Sequence, residues 1–129
     1  MQLSQTTVTT ILPVVDLGRA RAFYEGKLGL RPESKPDGKV LYHCGAGDIA
    51  LMPREAGTKA EHTALSFEVP DIAAAVRELE GAGVRFEDYD MPGLKTEGHV
   101  CAMGAEKAAW FYDPEGNCLC LHEDMTTKH

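Results

Sequence analysis

The sequence is short of positive charge: 13 Lys and Arg stand against 20 Asp and Glu, a formal net charge of −7. Nucleic acid and anionic membrane surfaces both call for a basic face. Neither is expected as a partner, and the acidic excess reads as a solvated surface. No apolar run approaches the roughly 20 residues of a membrane span. The segment Met1 to Thr10 lacks the apolar core of a signal peptide, so a soluble, cytoplasmic protein is expected. The four cysteines, Cys44, Cys101, Cys118 and Cys120, form no Cys-x-x-Cys pair. Without a secretory signal they read as reduced thiols. There is no Gly-x-Gly-x-x-Gly and no P-loop, and Gly45-Ala46-Gly47 precedes a strand, so it reads as a turn. Neither a Ser-His-Asp nor a Cys-His arrangement has a local signature.

What the sequence does contain is one domain's worth of chain with an internal repeat. Its 129 residues are 43% hydrophobic and 26% charged, an ordinary globular balance. The first copy runs Val8-Thr-Thr-Ile-Leu-Pro-Val-Val-Asp16-Leu17, then a helical pattern, then Leu28-Gly29-Leu30. The second runs Thr63-Ala-Leu-Ser-Phe-Glu-Val-Pro-Asp71-Ile72, then a helical pattern, then Ala82-Gly83-Val84. Leu65, Phe67 and Val69 alternate with Ala64, Ser66 and Glu68, the period of a strand with one apolar face. Asp16 and Asp71 stand where a helix needs a cap. Ile72, Ala75, Val76 and Leu79 make an apolar helical stripe, and Leu17, Ala20, Phe23 and Tyr24 a similar one. Gly29 and Gly83 fall just past the helix ends, where a left-handed residue is cheapest as glycine.

Short strands are expected after each helix. In the first half they span about 30–33, 39–43 and 48–52, with Asp37-Gly38 as a hairpin signal. In the second half they span about 84–88, 99–103, 108–112 and 118–123, with turn chemistry in Asp113-Pro114-Glu115-Gly116-Asn117. The chain therefore reads as one α+β domain of two βαβββ units, about 8–54 and 62–124, with a polar linker at about 55–61.

The segments Val14-Val15-Asp16-Leu17, Phe23-Tyr24, Leu28-Gly29-Leu30, Phe67-Glu68-Val69-Pro70-Asp71 and Asp113-Pro114-Glu115-Gly116-Asn117, in that order and spacing, resemble the vicinal-oxygen-chelate superfamily (glyoxalase, bleomycin resistance protein and extradiol dioxygenase-like). The stretch from Tyr89 to Thr96 through Ala109-Trp110-Phe111 is similar to a narrower bacterial subgroup of it. The resemblance implies a cup-shaped, mostly antiparallel sheet with helices outside, a cavity within, and a symmetric homodimer. In the family's enzymes a divalent metal in that cavity acts as a Lewis acid.

Carried over to this chain, the family's metal positions fall on Thr9, Ala64 and Cys120, with the remaining one among Ile49, Ala50, Leu51 and Met52. Glu55 lies beyond Pro53, past the strand. A hard divalent ion wants imidazole and carboxylate, and a thiol suits a softer one. The resemblance therefore implies the fold without the usual metal, and no cofactor is expected. A shifted soft-metal site from Cys118, Cys120, His122, His62, His99 and Cys101 is the alternative, against simple packing of small apolar thiols. Cys120 and His122 share a strand face, but residues two apart on a strand are roughly 6.5–7 Å from each other, long for thiolate activation. Glu68 points into the cup by parity. It is either a general base or a paired strand-end carboxylate. Trp110 offers an aromatic wall to a flat ligand. The expected lining is Tyr42, Ser66, Glu68, His99, Trp110, Cys118, Cys120 and His122. The expected function is metal-independent binding of a small apolar or aromatic molecule. The alternatives are an enzyme of lyase, isomerase or dioxygenase type, with a shifted metal or metal-free acid/base chemistry, and an accessory subunit that only pairs with another protein.

Overall fold

The computed structural model describes residues 2–34, 40–56 and 62–127. The first unit opens with strand β1 (Thr9–Val14). Helix α1 (Leu17–Arg21) follows and widens into π-helical turns over Ala22–Lys27. As the sequence predicts, Asp16 caps it: Asp16 Oδ1 accepts from the Arg19 amide at 3.0 Å. The Leu28 amide reaches back five residues to Phe23 O at 3.0 Å, the signature of a π-turn. That wider turn turns Phe23 and Tyr24 inward together, and both are buried. Gly29 then takes a φ of +74°, where a Cβ would be strained. Strands β2 (Pro32–Ser34), β3 (Val40–Cys44) and β4 (Gly47–Pro53) complete the unit. Their order is β1-β4-β3-β2, with β1 parallel to β4 and the other pairs antiparallel. The Asp37-Gly38 hairpin signal lies outside the described residues, as does 57–61 of the expected linker.

The second unit repeats the plan. Strand β5 (Thr63–Glu68) leads to helix α2 (Ile72–Gly81), whose Asp71 cap accepts from the Ala74 amide at 3.2 Å. The expected strand at 84–88 is not one. Only Phe86 bridges, to Phe111, and the Glu87 amide donates to Trp110 O. The chain instead spends its pairing on a hairpin that the alternation did not announce, β6 (Asp90–Met91) and β7 (Leu94–Glu97), turned at Pro92-Gly93. Strands β8 (Val100–Met103), β9 (Glu106–Tyr112) and β10 (Cys118–Asp124) follow. The sheet order is β5-β10-β9-β8-β7-β6, with β5 parallel to β10. The fold is thus α+β with two mixed sheets, of four and six strands.

One core serves both units. Leu12, Val14, Ile49 and Leu51 from the first sheet pack in the same cluster as Val76, Phe111, Leu119 and Leu121 from the second. Phe23 lies 6.3 Å from Phe111, and Phe86 meets Phe111 edge-on at 5.3 Å. Each such fully buried ring contributes about 2–3 kcal/mol over exposure.

The turn between β9 and β10 fastens the units. Asp113 Oδ1 accepts from the amides of Glu115 and Asn117, both at 2.8 Å. Its Oδ2 accepts from Asn117 Nδ2 at 2.8 Å and from the Tyr24 hydroxyl at 2.6 Å. Asn117 Nδ2 also donates to Pro13 O at 3.1 Å. Glu115 Oε1 accepts from the amides of Val15 (2.6 Å) and Asp16 (2.9 Å), while Oε2 accepts from Arg19 Nε at 2.5 Å. A motif that reads as mere turn chemistry therefore holds the end of β1 and the start of α1.

Candidate functional site

Strands β1 and β5 are the facing edges of the two sheets; they approach each other without pairing. On β10, Leu119 and Leu121 enter the core, so alternation turns Cys118, Cys120 and His122 to the opposite face. On β5, Leu65 and Phe67 pack on the core, and alternation turns Ser66 and Glu68 to the opposite face. On β9, Ala109 and Phe111 are core, and Trp110 shares the face of Cys120, its cross-strand partner. The structure thus brings Ser66, Glu68, Trp110, Cys118, Cys120 and His122 onto one sheet face.

Two expected lining residues are elsewhere. Tyr42 is fully buried on the helix side, ring-stacked on Tyr24 at 6.0 Å, and its hydroxyl donates to Glu25 Oε2 at 2.8 Å. Burial and Glu25 push its phenol up, so it stays a proton donor. His99 sits before β8 with a φ of 71°, the left-handed region that few non-glycine residues occupy. Its ring stacks on Phe86 and lies 3.1 Å from Glu80 and 2.9 Å from Asp88. It lines a separate cavity of about 550 Å³ with Glu80, Phe86 and Asp88.

The two thiols on the shared face are shut in. Cys118 and Cys120 are buried, and burial pushes both thiols up, away from the thiolate that a nucleophile or metal ligand needs. Trp110 is half-buried, donates to Thr63 Oγ1 at 3.2 Å and meets Tyr89 edge-on at 5.6 Å. Ser66 and His122 are directly joined, Oγ to Nδ1 at 2.5 Å. Glu68 Oε1 lies 3.6 Å from the other ring nitrogen of His122. No sequence motif announced this contact. The signal that finds it is the parallel register of β5 and β10, which pairs Ser66 with Cys120 and Glu68 with His122.

The same register resolves the open metal position. Ser66, five residues before the Asp71 cap, pairs with Cys120; Ile11, five before the Asp16 cap, pairs with Ala50. The four positions therefore hold Thr9, Ala50, Ala64 and Cys120: one hydroxyl, two methyls and a buried neutral thiol. That donor set does not fit a hard divalent ion. Among the described residues, no group of three His, Cys, Asp or Glu side chains is placed to hold a metal.

A groove of about 710 Å³ lies at the start of β1 and the end of β5. Leu30, Ile49, Leu65 and Phe67 give it apolar walls, while His43, Asp48, Ser66 and Glu68 supply polar groups. His43 is held between Asp48 and Glu33, and those two carboxylates raise it above the ordinary histidine range. Of the expected lining residues, Ser66 and Glu68 line this groove; Trp110, Cys118, Cys120 and His122 lie on the sheet face beside it.

A family model described as the Glyoxalase/Bleomycin resistance protein/Dioxygenase superfamily matches residues 4–121. The chain belongs to that superfamily. Its fold is similar to a glyoxalase family protein from Bacillus anthracis (21% identity, 96% of this chain and 98% of that one, TM-score 0.76). It is also similar to a lactoylglutathione lyase from Agrobacterium tumefaciens (21% identity, 99% and 100% covered, TM-score 0.68). A third similar structure is TnmS3, an antibiotic binding protein from Streptomyces sp. CB03234 (17% identity, 96% and 99% covered, TM-score 0.63). No curated protein matches in sequence. Among the described residues, no helix is long and apolar enough to cross a membrane.

Proposed function

We propose that this superfamily member binds a small, largely apolar molecule in the groove between β1 and β5 and needs no metal to do so. The observation that carries the reading is the groove itself. A cavity of about 710 Å³ with apolar walls and a few convergent polar groups has the size and chemistry of a small-molecule site. The donor set of Thr9, Ala50, Ala64 and Cys120 supports the metal-free part, and the likeness in fold to an antibiotic binding protein is in keeping with a small-molecule ligand. The test is fluorescence titration with the apolar dye 1-anilinonaphthalene-8-sulfonate, with competition by flat apolar compounds, including antibiotics, and parallel thermal shifts with zinc, nickel and manganese. Saturable dye binding displaced by a competitor, with metals moving the midpoint by less than a degree, is the expected result. One tightly bound metal per chain and a shift of several degrees overturn it.

The homodimer implied by the family resemblance belongs to the same proposal. Val8, Ile11 and Val15 are exposed apolar side chains along and flanking β1, and clustered exposed apolar side chains favour a partner surface. Light scattering at tens of micromolar gives a dimer mass; a mass near the 14.0 kDa of one chain refutes it.

A further inference from the structure

We propose that Ser66, His122 and Glu68 form an acyl-transfer relay that hydrolyses a carboxylic ester whose apolar acyl part enters the groove. The inference rests on the groove reading for the seating of the acyl part, and adds chemistry to it.

The geometry is directional. His122 Nδ1 meets Ser66 Oγ at 2.5 Å, and Nε2 faces Glu68 Oε1 at 3.6 Å. A carboxylate beside Nε2 favours the tautomer that carries its proton there. That leaves the Nδ1 lone pair free to accept from the serine hydroxyl, the linkage of a nucleophile to its base and of the base to an orienting group. Ser66 is exposed, so an electrophile can reach it, and the His122 side chain is only 22% exposed, so its orientation is held.

The step balances without a co-reactant other than water. Ser66 Oγ bonds to the ester carbonyl carbon as its proton passes to His122 Nδ1. The carbon–oxygen bond to the alcohol then breaks, and the alcohol leaves with that proton. Water, giving a proton to His122, attacks the acyl carbon; the acid departs and Ser66 regains its hydrogen. Ser66 and His122 are the catalytic residues, and Glu68 is a positioning residue.

The experiment is covalent labelling of the full chain with a fluorophosphonate, read by intact mass and peptide mapping, alongside hydrolysis of p-nitrophenyl butyrate. One adduct at Ser66 is expected, with labelling and hydrolysis lowered at least roughly a hundredfold in Ser66→Ala and His122→Gln, the range of a lost nucleophile or base. Glu68→Ala should slow both reactions and Glu68→Asp should recover part of the rate, which a merely structural carboxylate would not do. Absence of an adduct, or an adduct at another residue, overturns the relay. Dye titration of the same samples separates the failures: binding without labelling refutes the relay alone, and loss of both refutes the groove reading as well.

Discussion

Replacing Tyr24 by Phe removes one oxygen from the fastening between the two units. Burial and the neighbouring Asp113 push the Tyr24 phenol well up, so it remains a donor at every working pH. Its bond to Asp113 Oδ2 is 2.6 Å long and buried. Hydrogen bonds to charged groups contribute about 1.5–3 kcal/mol, and Asp113 Oδ2 keeps Asn117 Nδ2 as a second donor, so a loss of about 2 kcal/mol is expected. With an unfolding entropy near 2.1 cal/mol/K per residue, a chain of this length loses about 7 °C in midpoint. Urea unfolding followed by far-UV circular dichroism should show the lower midpoint with an unchanged slope. The double variant with Asp113→Asn should lose less than the sum of the single losses, because both substitutions break the same bond. A loss under about 0.5 kcal/mol, the level of an ordinary surface change, refutes the claim that this contact holds the units together.

Three further outcomes follow from the same structure. Burial raises the Glu115 carboxyl, but Arg19 and the amides of Asp16 and Val15 outweigh it and hold the group below the ordinary range. Its contribution is therefore full above the unfolded value of about 4.3 and is lost as pH falls through the folded value; Glu115→Gln should flatten the acid limb of stability against pH, and an unchanged limb refutes the assignment. Burial raises the thiols of Cys44, Cys118 and Cys120, so dithionitrobenzoate should modify Cys118 and Cys120 of the native protein far more slowly than in denaturant, where all four cysteines react; equal rates count against their enclosure. Leu65→Trp should fill the groove and weaken dye binding at least about tenfold, equivalent to 1.4 kcal/mol; undiminished affinity places the dye elsewhere.

The plan of the fold was legible because local rules and tertiary structure agree at Asp16, Asp71, Gly29 and Gly83: each cap accepts its amide, and each glycine takes a positive φ. The site was less legible. Tyr42 and His43 alternate on a strand with apolar residues on both faces, so the pattern alone did not say which face meets the helices. His99 follows Gly98 in a tight turn, and its contacts with Glu80 and Asp88 come from elements distant in sequence. The Ser66–His122 bond depends on a parallel register across 56 residues, which no local pattern encodes. Glu115 looked like an interchangeable turn position, yet its side chain spans to amides 99 and 100 residues away.

That fastening and the groove lie at opposite ends of β1. Pro13 and Val15 are gripped at one end, while Val8 and Thr10 line the groove at the other. The groove end is tied as well: β1 pairs with β4 from Thr9 to Val14, and the Asp48 amide donates to Val8 O at 3.0 Å. At ~3.3 Å per residue, six residues set the two ends roughly 17 Å apart. The groove wall is therefore a strand clamped at both ends, and the girth of the molecules admitted is set by side chains at the mouth rather than by movement of the strand.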